Sequence, residues 1–319
     1  MFDTTQPLRD RFGDRLKLGE PLSRHTNFRI GGPARWFVEV KNEEEILAAV
    51  MISKMGEVPL LILGGGSNVL ASDLGFDGLV IKIALRLFAI EGTKVIADAG
   101  VISSALARAT VEAGLEGFEW AVSLPGTIGG AVRGNAGCFG GELKDSIVSV
   151  RVLREGTVQE VPGEACALGY RDSIFKKNAD IILQATLQLK SGNTKLLKTR
   201  MEDQLAKRKL SQPTNGGSAG CIFQNYHIDS TTELTRLASD IPETMAKARV
   251  VSAGWLVEQA DVKGQTIGQA QISPVHGNFI VNLGGATADD VSQLIALAKT
   301  RVRNRFGIQL MEEVERVGF

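Results

Sequence analysis

The run from Val58 to Leu63 is apolar and empties into Gly64-Gly65-Gly66-Ser67-Asn68. A buried strand that delivers the chain into three successive glycines limits the fold, because such a loop brings bare backbone against another group. The residues before it complete a βαβ unit. Trp36 to Val40 reads as a strand, and Asn42 with Glu45 makes a capping-box-like helix start. Ile46, Leu47, Val50 and Met51 then recur at helical spacing, which predicts a helix over 43–55. Glycine clusters again at Gly129-Gly130, Gly140-Gly141, Gly216-Gly217 and Gly284-Gly285. It makes up 36 of 319 residues, about 11% against a usual level of about 7%.

A second unit follows the first. Leu79–Ile83 and Lys94–Asp98 read as strands, and 103–113 as a helix stopped by Gly114. Short strands are expected near 146–154, 157–161 and 181–189. Ser191-Gly192-Asn193 is a turn signal and a domain boundary. Beyond it, 195–209 predicts a helix with six Lys/Arg against two acids. Thr287 with Asp290 opens a helix ending near Gly307, and Ile308 to Val317 alternates as a closing strand. Residues 1–20 are polar and unpatterned, a loose arm or a short helix.

Lys+Arg and Asp+Glu are both 36, and that zero balance excludes a general nucleic-acid binder. Cys138, Cys166 and Cys221 show no C-x-x-C spacing, so neither a zinc site nor a disulfide framework is expected. Three scattered histidines, His25, His227 and His276, do not make a metal site. The first thirty residues lack a signal-peptide core, and no run of 18 apolar residues occurs. A cytoplasmic chain without membrane insertion or an obligate protein partner is expected.

The glycine loop matches neither common phosphate motif. The sixth place of G-x-G-x-x-G is Val69, and no Gly-Lys-Ser/Thr occurs. Converging backbone N–H groups still suit a diphosphate. Gly216-Gly217-Ser218-Ala219-Gly220 matches the G-x-S-x-G elbow of serine hydrolases, with His227 or His276 and Asp261 as conceivable partners. The elbow needs a preceding strand, whereas Gln212-Pro213-Thr214-Asn215 is loop.

Several stretches together resemble one family. They are His25-Thr-Asn-Phe-Arg-Ile-Gly-Gly-Pro-Ala34, Leu63-Gly-Gly-Gly-Ser-Asn-Val-Leu70 with Asp73, and Leu124-Pro-Gly-Thr-Ile-Gly-Gly-Ala131. Asn135-Ala-Gly with Gly140-Gly-Glu142, Tyr170-Arg-Asp-Ser-Ile-Phe175 and Ser218-Ala-Gly-Cys-Ile-Phe-Gln-Asn225 continue the series. Ala253-Gly-Trp-Leu256, Lys263-Gly264, His276-Gly-Asn-Phe-Ile-Val-Asn282 and Glu313-Val314 with Gly318 complete it. In this order they resemble the UDP-N-acetylenolpyruvoylglucosamine reductases, in the shorter form that lacks an extra substrate-covering loop and its tyrosine.

The resemblance implies an α+β protein. A two-lobed FAD-binding domain of the vanillyl-alcohol-oxidase (PCMH) type would span 23–192, with lobes at about 23–84 and 85–192, after an arm at 1–22. A C-terminal α+β substrate-binding domain would span 193–319. FAD would be non-covalent, with Gly64, Gly65, Gly66, Ser67 and Asn68 at its diphosphate. Ser123, Gly126, Thr127, Gly129, Gly130 and Asn135 would line the rest of the flavin site. NADPH would reduce FAD, and hydride would pass to C3 of the enolpyruvyl group of a UDP-N-acetylglucosamine substrate, in the making of peptidoglycan precursors by a wall-building bacterium.

For catalysis the resemblance implies Arg171 on the substrate carboxylate, Glu313 supporting the enol form, and Cys221 protonating C2 where serine is commoner in the family. Glu312 is the rival of Glu313. A thiol with a free pKa of about 8.5 would set an alkaline limit on substrate reduction. Tyr170, Arg208, Lys209, Gln212, Asn225 and His276 would neighbour the substrate. Gln224 and Tyr226 replace a commoner Lys and Pro, so position 224 offers a diphosphate no charge. The alternatives are a flavin oxidase of the same fold, a serine hydrolase using Ser218, and a nucleotide-sugar binder without turnover.

Overall fold

The computed structural model describes residues 3–237 and 239–319. They fall into two compact units. In the first, which holds 34–65 and 76–210 with the N-terminal segment through Glu20, the apolar run Leu79-Val80-Ile81 is fully buried at the centre of a four-stranded sheet. Strand order is Lys17–Pro21, Pro33–Val40, Phe76–Ile83, Leu60–Leu63. Strand Phe76–Ile83 runs parallel to both inner neighbours, with Trp36 and Leu60 each opposite Leu79. Burial on both faces explains why that strand reads as a continuous apolar run rather than an alternating one.

Helix Glu43–Met55 starts as its sequence predicts, with the Asn42 side chain accepting from the Glu45 N–H at 2.9 Å. Glu45 does not close the reciprocal box. Its carboxylate accepts from the Lys41 N–H and pairs with Arg15 at 2.7 Å. That pair ties down the N-terminal arm, whose residues 1 and 2 lie outside the described residues. The arm takes the helical alternative, Thr5–Phe12, because Leu8 and Phe12, four apart, both bury. Trp36 Nε1 also donates to Thr5 Oγ1 at 3.1 Å.

The second sheet of this unit is antiparallel, ordered Thr157–Pro162, Ile147–Arg154, Ile181–Gln188, Lys94–Asp98, Phe88–Glu91. Its middle strand is the apolar run at 181–188. Helix Ser103–Glu112 and the basic helix Thr194–Ser211 belong to the same unit. Met201 and Leu205 of the basic helix pack on its core and Leu197 is buried, which carries the unit past the turn at 191–193 to Leu210.

The second unit gathers 21–33, 66–75 and the described residues from Ser211 onward. The sequence placed 23–33 and 66–75 in the first lobe, yet Phe28, Ile30 and Leu70 share a buried cluster with Phe223, Ile280 and Val314. Main-chain pairing holds them there. Val69–Ala71 runs parallel to Glu315–Val317, and the Gly32 N–H donates to the Ser72 carbonyl at 2.8 Å. Asp73 accepts from the N–H groups of Ala288 and Asp289, capping helix Ala288–Phe306 from outside its own segment. The Thr287–Asp290 capping box and the left-handed Gly307 end that helix as predicted.

The closing strand is shorter than its alternation suggests, only Glu315–Val317. The N–H groups of Glu313 and Val314 converge on one acceptor, the Ile222 carbonyl, at 2.7 and 3.4 Å. Two consecutive donors on one acceptor kink the chain and break the period of two.

Segment 221–224 threads between two others. The Ile222 N–H donates to the Asn278 carbonyl at 2.8 Å, and the Gln224 N–H to the Met311 carbonyl at 2.9 Å. The buried Asn278 side chain stands in for a missing strand. Its Oδ1 accepts from the Phe223 N–H at 2.9 Å, and its Nδ2 donates to the Phe223 carbonyl at 2.8 Å. Each group orphaned by truncation costs about 1–3 kcal/mol. Asn278→Ala is therefore expected to lower stability by at least about 2 kcal/mol, read as a lower urea midpoint at unchanged m-value. A loss below about 0.5 kcal/mol would show that water replaces the amide.

Candidate functional site

The loop after strand Leu60–Leu63 is built for close approach. A Cβ on Gly65 would lie 2.6 Å from the Gly126 Cα, and one on Gly64 would lie 2.6 Å from Thr127 Oγ1. Gly64, Gly65, Gly126 and Thr127 therefore meet in the first unit. The Ser103 N–H donates to the Gly126 carbonyl at 3.1 Å, and Ile102 bridges Thr127, which fixes the far wall. Thr127 precedes the short helix Ile128–Arg133, and its buried hydroxyl has no hydrogen-bond partner. Gly129 packs on Ala99, while Gly130 has room beside Thr127 Oγ1.

Gly66 is left-handed at φ +62. The N–H groups of Gly65 and Gly66 meet no acceptor among the described residues. Adjacent unpaired amides in a turn of this kind suit an anion. The donor set and the glycine clearance thus fit the diphosphate of FAD. Gly66, Ser67 and Asn68 belong to the second unit.

Asn135 is held differently from the glycines of this loop. It is fully buried, with its Nδ2 donating to the Gly169 carbonyl at 2.7 Å and to Glu142 Oε2 at 3.2 Å. Its Oδ1 accepts from the Lys144 N–H at 3.0 Å. Every polar hydrogen of that amide is committed within the protein. What it holds is the base of a tight hairpin, closed by paired bonds between Gly169 and Asp172. Tyr170 and Arg171 form the hairpin tip. Arg171 is left-handed at φ +54, a strained position for a residue with a Cβ, of the sort kept at functional sites.

The Arg171 guanidinium donates to the Gly137 carbonyl at 2.9 Å and lies 5.3 Å from the centre of the Tyr170 ring. Arg208 donates to Ser123 Oγ at 3.3 Å. Both cations act on the Cys138 thiol, which burial pushes above its ordinary value while they pull it down. Arg171 and Arg208 therefore both lie near Cys138 in the first unit. Lys209 is exposed on the helix, and Gln212 is half-buried beyond it.

The second unit carries the remaining residues. Cys221 is half-buried and bridges Phe279, one residue from the Ile222 carbonyl that takes the Glu313 N–H. Asn225 Oδ1 accepts from the Ala253 N–H at 3.1 Å. His276 Nδ1 accepts from the Asn278 N–H, and burial, with Lys263 nearby, lowers the imidazole pKa. Ser218 Oγ accepts from the Gly220 N–H at 3.1 Å, with no histidine or carboxylate bonded to it and no strand before it. The hydrolase elbow is therefore not formed. No group of three potential metal ligands occurs among the described residues.

Three features left no clear trace in periodicity: the Asn135 mount, the Asn278 clamp and the Glu312 ion pairs. A signal for the second was present, since Asn278 and Asn282 interrupt an otherwise apolar run. Asn282 is likewise buried, donating to the Phe28 carbonyl and accepting from the N–H groups of Gly284 and Ala286.

Residues 34–161 match the FAD binding domain model. With the α+β architecture, this defines an FAD-dependent oxidoreductase whose flavin domain is of the vanillyl-alcohol-oxidase type. Residues 212–317 match the model for the UDP-N-acetylenolpyruvoylglucosamine reductase C-terminal domain. A UDP-N-acetylenolpyruvoylglucosamine reductase of Clostridioides difficile is 37% identical over 306 residues, covering 95% of this chain and 93% of that protein. One of Alkaliphilus oremlandii is 38% identical over 308 residues, covering 96% and 94%. The crystal structure of the Thermus caldophilus enzyme superposes with a TM-score of 0.74 at 32% identity, covering 95% of this chain and 98% of that one. The chain belongs to the UDP-N-acetylenolpyruvoylglucosamine reductase family.

Glu312 is paired on both sides, with Lys299 at 2.5 Å and Arg316 at 2.7 Å. Burial alone would raise its pKa, but bonds from Arg316 and Lys299 outweigh burial and hold it below the ordinary 4.5. A depressed folded pKa gives stability that is present above the unfolded value and lost as pH falls through the folded one. Below about pH 4.5 the parent is therefore expected to lose stability that Glu312→Gln never had, and the variant's urea midpoint should change less between pH 7 and pH 3. Parallel curves for the two proteins would show that the pairs contribute nothing.

Proposed function

We propose that this chain reduces UDP-N-acetylenolpyruvoylglucosamine to UDP-N-acetylmuramate with NADPH as donor, in the cytoplasm, as a step toward peptidoglycan. The relatives' names support the substrate. The observation that supports the chemistry is the main-chain bond from Glu313 to Ile222, the residue that follows the proposed proton donor Cys221.

Bound FAD supplies a hydride carrier between NADPH and C3 of the enolpyruvyl group. Hydride arriving at C3 sends an electron pair toward C2 and the substrate carboxylate. In this reading the forked Arg171 guanidinium binds that carboxylate and stabilises the charge as it develops. Glu313, protonated or hydrogen-bonded, supports the enol form. Cys221 then gives its proton to C2, so one hydride and one proton saturate the double bond and NADP⁺ leaves. Glu312, ionised and paired, cannot share the acid role. Arg208, Tyr170, Asn225 and His276 serve substrate binding. Lys209 and Gln212 are placed there on resemblance alone.

The purified protein is expected to show a flavin band that bleaches with NADPH under nitrogen and returns on adding the enolpyruvyl sugar. Return with oxygen alone would favour an oxidase. Absence of the band, with no uptake of added FAD, would sink the proposal. Cys221→Ala should slow substrate reduction by about 10²–10⁴-fold and leave bleaching by NADPH intact, whereas Cys221→Ser should restore most of the rate. An alanine variant as fast as the parent in single turnover would remove Cys221 from the mechanism.

A further inference from the structure

Asn68 lies in the loop that the diphosphate reading assigns to the cofactor, but its side chain also reaches a second place. Its Nδ2 donates to the carbonyl of Glu313 at 2.9 Å, across 245 positions of sequence. Its own carbonyl accepts from the Glu315 N–H at 3.0 Å. We propose that Asn68 is a positioning residue, whose amide clamps the Glu313 main chain and makes the placement of that carboxyl depend on the diphosphate loop. The inference rests on the function proposed above, which gives Glu313 its role.

The geometry supports it in three ways. Both main-chain groups of Glu313 are held, the N–H by the Ile222 carbonyl and the C=O by Asn68. The Ile222 carbonyl is shared with Val314, so it cannot fix the following peptide alone, and Asn68 is the group that does. A primary amide also has two N–H donors. Only one is used here, and the Asn68 side chain makes no other hydrogen bond among the described residues. The second hydrogen is left for an anion at the adjoining Gly66 amide. One planar amide can then hold cofactor and catalytic backbone together, and by linkage each stabilises the other.

The test uses Asn68→Ala, with Asn68→Asp as an isosteric variant lacking the donor in case alanine does not fold. FAD binding to apoprotein is followed by flavin fluorescence, and hydrogen exchange is followed across 310–317 with and without saturating FAD. Each half-reaction is timed in single turnover. In the parent, FAD should slow exchange across 310–317. In the variant that slowing should vanish. Substrate reduction by the FAD-saturated variant should fall about 10- to 100-fold, the scale of a small misplacement of a reacting group, while NADPH reduction stays within about threefold. Weaker FAD binding with both half-reactions intact at saturation would make Asn68 a cofactor ligand only and overturn the inference. Unchanged FAD protection of 310–317 in the variant would overturn it too. Failure of the parent itself to take up FAD is a different result, because it removes the functional reading and the inference with it.

Discussion

A site built from loops must satisfy buried main-chain groups that no sheet is there to satisfy. In this chain, side-chain amides and carboxylates do much of that work. Asn278 gives Phe223 the donor and acceptor of an absent neighbouring strand. Asn282 holds the Phe28 carbonyl and two following N–H groups. Asn135 closes the hairpin under Arg171, Asp73 caps a helix more than two hundred positions away, and Asn68 holds Glu313. Where the group held is buried, as at Phe223 and Phe28, leaving it unpaired would cost about 1–3 kcal/mol. Two of them also hold backbone at residues given roles in the proposal, Asn135 under Arg171 and Asn68 at Glu313. Stability and positioning are here the same bonds.

That dependence decides which parts could be read from the chain in advance. Helix Glu43–Met55, the apolar strands Phe76–Ile83 and Ile181–Gln188, and the capped helix Ala288–Phe306 follow from local spacing and end signals, and they stand within a few residues of expectation. The membership of 23–33 and 66–75 did not follow, because it rests on pairings such as Val69 with Glu315 that have no period. The closing strand misled for a related reason. Alternation from Ile308 onward is real, but one carbonyl taking two successive N–H groups breaks it where it matters, at Glu313.

The candidate site shows the same division. Gly64, Gly65, Gly126 and Thr127 were legible because a glycine-rich loop after a strand has few uses, and the structure presses these residues together. Asn135 belonged to the same quoted stretch and was expected beside the flavin. Its amide is engaged by Gly169, Glu142 and Lys144, at the base of the hairpin that carries Arg171. A motif records that a residue is needed there without recording which neighbour needs it.

The two adjacent glutamates separate by the same logic applied to charge. A carboxylate that must accept or release a proton cannot also be locked between two cations, since each cation makes the neutral form harder to reach. Lys299 and Arg316 lock Glu312. Their cost to acid chemistry at 312 is a gain for geometry at 313, because the ion pairs anchor the chain one residue before the kink while Asn68 anchors it from the other side. Glu313 is thus held through both of its main-chain groups. Exchanging the two glutamates would need the ion pairs moved as well, so the proposed division of roles follows from their order in the sequence.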